Sequence, residues 1–522
     1  MCGITLTLGP PADIPLARSL HAANAARGPD TQGIYARRIG PDLLLLGASV
    51  LGLRGQVTAQ PRVGRGVLAW NGQVFSGLEV DINDNDTACL FTALEAGHDP
   101  VKLLSTIEGP WAFVYVCGST VTFGVDPLSR RSLLIHTPDD ACQSFILSST
   151  RSAMARERGI GMRALEGGEI GVLDLTSLNG ATDWAGALTL SRPRVSVAAV
   201  NGELPVSPPE RLLAVEAEVD SFLTHLTTSV RRRVENIPAP APGAARAAVL
   251  FSGGVDCSLL VCLIHSVLPA GEPIELVNVA FAQPPKSSGK LTPKPSGGGY
   301  DVPDRLSGRE AAAELRAAFD RDFRFVEVDV DVETSRAARQ DVIDAMYPSA
   351  TEMDLSLAYP LYFASLGRGR VDGTDYTVGA KVYFSGLGAD EQLAGYTRHR
   401  KAYERGGWAA LVSEIQLDLD RLPQRNLARD DRVLSAHARD ARYPFLDLGF
   451  VRYVSQLPVW AKCNLELPAG EGDKALIRLA AARWLPKTAR RVKRAMQFGT
   501  KSAKLYEGAP RGHKAGEQLI TK

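Results

Sequence analysis

The chain has 522 residues, 45% hydrophobic and 22% charged, which is the composition of an ordinary globular protein with room for more than one core. A formal net charge of +1 gives no bulk electrostatic case for nucleic-acid or membrane binding. Seven scattered cysteines, an odd number without tight spacing, argue against a disulfide framework and against a zinc site. No apolar run reaches membrane-spanning length, and no basic segment followed by an apolar core opens the chain, so a cytosolic protein is expected.

In chain order, the first half reads as β-rich. Short apolar runs recur at Cys2–Leu8, Leu43–Leu51, Val67–Phe75, Trp111–Val116, Val121–Val125, Ser132–His136 and Ser144–Leu147, with helical patterns around Ile14–Asn24 and Thr87–Ala96. Short strands punctuated by Gly, Pro, Asn and Asp suit sheets packed in layers. Residues 191–245 read as a linker and an amphipathic helix, in which Val215, Val219, Phe222, Leu226 and Val230 repeat at helical spacing before a Pro-Ala-Pro-Ala-Pro-Gly break. Beyond it, Ala247–Phe251, Ile274–Phe281, Phe323–Val330 and Val382–Phe384 alternate with helical stretches, which predicts a parallel sheet with helices on both faces. A Gly/Pro/Ser/Lys-rich stretch at 284–304 reads as a mobile insertion, and the end from about Leu505 as frayed.

Several residues carry possible chemistry. The chain opens Met1-Cys2-Gly3-Ile4, and trimming of Met1 would leave Cys2 with a free α-amine. An α-amine, with a pKa near ~7.7–8.0, can act as general base beside its own thiol. The plainer alternative is a small apolar residue opening an edge strand. Asn71-Gly72-Gln73 and Asp86 follow, with a hairpin turn and a helix N-cap as their plainer readings. Ser252-Gly253-Gly254-Val255-Asp256-Cys257-Ser258 lies after a strand and before a helix, where backbone N–H groups and the helix terminus favour an anion. Ser385-Gly386-Leu387-Gly388-Ala389-Asp390-Glu391 repeats the strand–glycine–helix arrangement. Asp256 and Asp390 suit Mg²⁺, which takes carboxylate, phosphate and water oxygens; placement at a helix N-terminus explains Asp390 and Glu391 as well.

With Arg27-Gly28-Pro29-Asp30, Phe123-Gly124-Val125-Asp126-Pro127 and Arg130-Arg131-Ser132-Leu133, the first half resembles the class II glutamine amidotransferases. The second half, with the Ser252–Ser258 loop, Arg429-Asp430-Asp431-Arg432 and Ala441-Arg442-Tyr443-Pro444-Phe445-Leu446-Asp447, resembles the ATP-pyrophosphatase domain of the asparagine synthetases. The resemblance implies an α+β layered antiparallel sandwich of the Ntn-hydrolase kind at 2–190, then an α/β parallel-sheet domain of the adenine nucleotide alpha hydrolase kind at 246–510. It implies glutamine-dependent, ATP-driven amide synthesis, with glutamine, ATP and aspartate or another carboxylic acid as small-molecule partners and ATP and Mg²⁺ as cofactors. Oligomeric state stays open.

The resemblance also implies roles. Cys2 would attack the glutamine amide, with Asn71 and Gly72 as oxyanion donors. Asp86 and Gln73 would help hold the glutamine. The family's carboxylate-binding arginine falls at Val50, and Arg54 would substitute from the same strand face. Phe251, Ser252, Gly253, Gly254, Asp256, Cys257, Ser258, Val279, Ser385 and Gly386 would line the ATP site. Lys474 and Arg478 would contact phosphate, or form one solvated basic helix face. Two positions depart from the family pattern: Leu387 replaces a glutamate, and Ala495 replaces the lysine expected to stabilise the amidation oxyanion. Lys493 and Arg494 are the adjacent cations, read as lying on a helix, where a one-residue shift turns a side chain by roughly 100°. A chain with those departures has a third reading, as a non-catalytic binding or regulatory protein with a weakened synthetase site.

Overall fold

The computed structural model describes residues 2–81, 83–178, 184–192, 197–205, 216–282, 299–504 and 520. Val215, most of the expected insertion (284–298) and nearly all of the expected frayed end lie outside the described residues. The chain divides into two compact units that interleave along the sequence. The first is Met1–Val195 with Gln340–Ala350 and Leu422–Asp440; the second is Ser196–Arg339, Thr351–Arg421 and Ala441–Lys522.

In the first unit, alternation along the opening strand Cys2–Gly9 sends Ile4, Leu6 and Leu8 to one face, where they are buried. They meet Leu44, Leu46 and Ala48 of their own sheet and Val67, Ala69, Ala112 and Val114 of a second. The first sheet runs Arg163–Ala164, Leu134–His136, Phe145–Ser148, Cys2–Gly9, Asp42–Val50, Thr31–Ile39. The second runs Leu188–Ser191, Ile170–Asp174, Thr120–Val125, Trp111–Cys117, Gly66–Gly72, Arg62–Val63. Recorded pairings within both sheets are antiparallel, giving the layered sandwich the resemblance implied. Cys2 therefore opens an interior strand, between Asp42–Val50 and Phe145–Ser148, and not the edge strand of the plainer reading. Asn71 and Gly72 lie in the strand Gly66–Gly72, not in a turn.

In the second unit, Ala247–Leu250 pairs in parallel with Ile274–Phe281 on one side and Val382–Phe384 on the other, and Phe323–Val330 adds beyond Ile274–Phe281. The strand that comes first in the chain is thus central, with its successors on either side. Such an arrangement opens a crevice at the carboxyl end of the central strand, the usual place for a ligand. The Ser252 and Ser385 loops leave their strands at that end. An antiparallel hairpin, Arg368–Val371 and Thr374–Thr377, extends the far edge through Asp372 and Gly373, both at positive φ (50 and 83). The amphipathic helix is Glu216–Val234, with Val219, Phe222, Leu226 and Val230 buried. A second long helix starts at Pro303, inside the stretch expected to be mobile.

Leu6 is fully buried where the two sheets of the first unit meet. Leu6→Ala should therefore cost about 3 kcal/mol through lost transfer energy and a residual cavity, read as an earlier midpoint in urea unfolding.

Candidate functional site

Cys2 is held at both ends of its peptide. Its backbone N donates to Asn71 Oδ1 at 2.9 Å, and its carbonyl accepts from Arg27 Nε at 3.4 Å. Because Oδ1 takes the Cys2 donor, Nδ2 of Asn71 points elsewhere, and this buried donor has no hydrogen-bond partner among the described residues. An unsatisfied buried donor costs about 1–3 kcal/mol. Beside a thiol, an unpaired donor of this kind is one an oxyanion hole would use. Gly72 follows in the strand, and a Cβ there would stand 2.8 Å from Pro110 O, so only glycine lets that backbone approach. Gln60 is a polar neighbour the sequence did not single out. Its Nε2 lies 3.8 Å from Cys2 Sγ and donates to Thr87 Oγ1 at 3.1 Å, while its Oε1 accepts from Trp70 N at 2.7 Å. Nothing in the local sequence flags it beyond one polar residue ahead of a proline.

Arg54 is not on the strand face assumed for it. The strand ends at Val50, Gly52 N turns to Asp30 Oδ2 at 2.7 Å, and Gly55 takes a positive φ of 54. From this loop Arg54 nevertheless reaches Asp86, with NH1 to Oδ1 at 2.8 Å. It also donates to the carbonyls of Val74 and Val80, each at 2.7 Å. The N-cap of the helix Asp86–Glu95 is Asn85, which accepts from Thr87 N, and not Asp86. Arg54 and Asp86 place a cation beside an anion, the charge pattern complementary to an α-carboxylate beside an α-ammonium. Gln73 is buried next in the chain, its N donating to Pro110 O at 2.9 Å.

In the second unit, Ser252–Ser258 forms the expected strand–loop–helix turn, with Gly254 as the N-cap of the helix Val255–Val267. Gly253 has φ +75, and a Cβ there would lie 2.2 Å from Ser307 O, so the loop is pressed against the helix Pro303–Ala318. Cys257 Sγ bonds back to Gly254 O at 3.2 Å, and Ser258 Oγ is buried without a partner among the described residues. The strand carrying Val279 runs past the last residue paired with Leu250, so Val279 overhangs the end of the central strand near Phe251. Asn278 Nδ2 ties Phe251 O at 2.8 Å to Asp304 O at 2.9 Å.

The second loop meets the first: a Cβ on Gly386 would be 3.0 Å from Asp256 Cβ. Lys474, 2% exposed, sits between the carboxylates of both loops. Its Nζ donates to Asp256 Oδ1 and Oδ2 at 2.9 and 2.7 Å and stands 2.9 Å from Asp390 Oδ1. Lys493 reaches Asp390 Oδ2 from the other side. Burial alone would lift Asp390's pKa, but Lys474 and Lys493 outweigh it and hold the carboxyl well below its usual range. Burial wins at Asp256, whose pKa is raised, with Asp390's charge adding to the effect and Lys474 opposing it. Among the described residues no group of three or more His, Cys, Asp or Glu could hold a metal, so any Mg²⁺ would depend on these two carboxylates and a phosphate.

Three expectations change here. Lys474 and Arg478 form no solvated face, since both are buried. Arg478 spends its guanidinium on Asp473 and on the carbonyls of Ala489 and Arg491 at 2.8 and 2.9 Å, so it braces the chain instead of facing phosphate. Lys493, Arg494 and Ala495 precede the short helix Met496–Gly499 and are extended, with burial alternating residue by residue. Period two puts Lys493 on the same side as Ala495 and turns Arg494 to solvent. Lys493 is therefore the cation on the Ala495 side, and it is paired with Asp390.

The asparagine synthase family model matches residues 225–412 and 403–515, and the chain belongs to that family. The chain is 34% identical to the asparagine synthetase domain-containing protein 1 of Bos taurus, over 92% of this chain and 91% of that one. Against the Homo sapiens protein of the same name, identity is 32% over 88% of each. An asparagine synthetase domain-containing protein of Saccharomyces cerevisiae is 32% identical over 95% of this chain and 90% of its own length. No helix among the described residues is long and apolar enough to cross a membrane.

Removing the Lys474 ammonium would leave two buried carboxylates facing each other, a loss of about 3 kcal/mol or more. Asp390's depressed pKa contributes stability that is present above the unfolded value of about 3.9 and lost as pH falls through the folded one. Lys474→Gln should therefore melt below the parent at pH 7, and the gap should narrow below about pH 4, as differential scanning calorimetry across pH would show.

Proposed function

We propose that the protein hydrolyses glutamine at Cys2 and uses ATP to form an amide on a carboxylic acid, with aspartate as the reference acceptor. The observation that carries this reading is the orphaned Asn71 amide donor beside Cys2. Cys2 Sγ would attack the glutamine side-chain carbonyl. The developing oxyanion would take the Asn71 Nδ2 donor and the Gly72 N–H, and the amide nitrogen would leave as ammonia. Water would then release glutamate from the thioester. Arg54 and Asp86 would exchange part of their mutual ion pair for the substrate's carboxylate and ammonium.

In the second unit the acid's carboxylate would attack the α-phosphorus of ATP and pyrophosphate would leave, giving an acyl-adenylate that ammonia converts to the amide with loss of AMP. The Ser252–Ser258 backbone and Lys474 would hold the phosphates, with Phe251 and Val279 beside the adenine and Ser385 and Gly386 closing the other side. Asp256 and Asp390 fit Mg²⁺ as carboxylate ligands from two adjoining loops, and the ion would neutralise phosphate charge there. The chain offers less to the second half-reaction. Leu387 cannot accept a proton, and Ala495 supplies no charge to the tetrahedral oxyanion. A missing preorganised cation costs about 3–4 kcal/mol, a factor of roughly a hundred to a thousand in rate. Lys493 compensates only by leaving Asp390.

Amidation of aspartate is therefore expected to be slow while adenylation proceeds. Exchange of labelled pyrophosphate into ATP in the presence of aspartate should be measurable and should fall in Asp256→Asn. Asparagine formed from ATP, aspartate and ammonium should lag far behind it. Amidation at tens of turnovers per second would overturn the slow-amidation reading. Separately, Cys2→Ala should abolish glutaminase activity and spare the exchange, and an unchanged glutaminase rate would remove Cys2 from its role.

A further inference from the structure

Arg27 is 1% exposed and faces two ways. Its Nε donates to the Cys2 carbonyl at 3.4 Å, and its NH2 donates to Asp431 Oδ2 at 3.0 Å, 404 residues along the chain. Asp431 belongs to the helix Leu427–Ser435, which packs within the first unit although it lies inside the stretch matched to the synthase family. Its carboxylate is fully buried and fixed from several directions. Arg131 NH1 stands 3.3 Å from Oδ1, and Ser132 N donates to Oδ2 at 3.1 Å. Arg131 is itself pinned to Asp440 at 2.5 Å, and Arg432 of the same helix donates to Ser132 Oγ at 2.7 Å.

Cys2 opens its strand, the kind of position where a chain frays unless tied. Asn71 ties its nitrogen and Arg27 its carbonyl, and these bonds set the direction of Cα–Cβ and hence of Sγ. Arg27 is a long side chain with several rotatable bonds, and the immobile Asp431 carboxylate selects its rotamer. We propose that Asp431, acting through Arg27, is a positioning residue for the Cys2 nucleophile, so that the glutaminase site is completed by a segment from the far end of the chain. The inference rests on the reading of Cys2 as nucleophile. It assigns Asp431 no contact with substrate: its effect is on how often Sγ points at the amide carbon, where displacement of about 1 Å can cost on the order of a hundredfold.

A double-mutant cycle in the full chain separates this role from general stability. Glutamine hydrolysis and the rate of Cys2 alkylation by iodoacetamide would be measured for the parent, Arg27→Ala, Asp431→Asn and the double variant, each checked for folding by thermal melt. Asp431→Asn should lower kcat at least about tenfold with KM held within about twofold, as expected when an interaction acts on the transition state and not on ground-state binding. In the Arg27→Ala background the same change should have less than about twofold effect, because its route to Cys2 is already gone. Asp431→Glu keeps the charge, should recover part of kcat, and carries the cycle if Asp431→Asn fails to fold. Additive losses, or an unchanged kcat and alkylation rate in the Asp431 variants, would overturn the inference. Absent glutaminase activity in the parent with a non-additive alkylation cycle would instead retire the nucleophile reading and leave the positioning role standing.

Discussion

One ammonium group organises the second unit. Lys474 Nζ lies within 3 Å of carboxylates from two separate glycine loops, Asp256 and Asp390, at the point where the parallel sheet opens. Without it, two desolvated negative charges would face each other and the loops could not approach as closely as the 3.0 Å between an added Gly386 Cβ and Asp256 Cβ implies. The protein accepts local strain to put the lysine there. Lys474 takes a left-handed conformation (φ 51) at the start of the helix Ala475–Ala482, a region L-residues other than Asn and Asp rarely occupy. Its backbone N finds Leu393 O at 3.1 Å, so the strained peptide is satisfied from the loop it serves.

A second constraint follows from the first. The chain after the helix Pro486–Ala489 crosses this same region as an extended strap. Arg491 hooks onto the carbonyls of Gly253 and Ser307, Arg478 holds the carbonyls of Ala489 and Arg491 from beneath, and Lys493 joins Asp390 and lies 4.0 Å over the Tyr396 ring. Tyr396 OH in turn donates to Glu391 at 2.6 Å. At its far end the strap reaches Asp304, whose buried carboxyl is pushed up to about 7 by desolvation against the pull of Arg494 and Lys501. Side chains on one side of the strap are thus committed to the two glycine loops, while Val492 and Arg494 on the other side are exposed.

What could be read from the sequence divides along this line. The sandwich, the central strand with its loop and helix, and the amphipathic helix were legible because each is local: alternation, a glycine turn, a 3.6-residue repeat. Cys2, Asn71, Asp256 and Asp390 were legible because their motifs are short and contiguous. The strap was misread because Lys-Arg-Ala-Met-Gln favours a helix intrinsically, whereas Arg491 and Lys493 draw their backbone out through partners far away in the chain. Arg54 was placed on a strand that Gly52 and Gly55 in fact end. The hairpin at Asp372-Gly373 carries a plain turn signal and falls outside the parallel strand–helix alternation. Gln60, the pairing of Asp431 with Arg27 and the packing of Leu422–Asp440 with the first unit left no local trace, since contacts between residues distant in sequence impose no period.

The two sites differ in how finished they are. Around Cys2 the groups that the proposed attack on an amide would draw on are already set: a buried donor left unpaired among the described residues, a glycine that lets backbone approach, and hydrogen bonds to the backbone N and carbonyl of Cys2. An unpaired buried donor is a standing cost to the folded state, set here against the bond that the other end of the same amide accepts from Cys2 N. In the second unit the charges are instead fully matched to each other. Asp256, Asp390, Lys474 and Lys493 form a balanced quartet, and among these four no ammonium is left over for the Ala495 side. Phosphate binding can draw on that quartet, because an incoming polyphosphate competes with the carboxylates for the same two ammonium groups. Stabilising an acyl oxyanion is a harder demand, since it needs a cation already pointed at carbon and not engaged elsewhere. Under the proposed function, this arrangement would favour the steps that bind and cleave a nucleotide over the step that forms the amide, and the two departures, Leu387 in the second glycine loop and Ala495 in the strap, both bear on that last step.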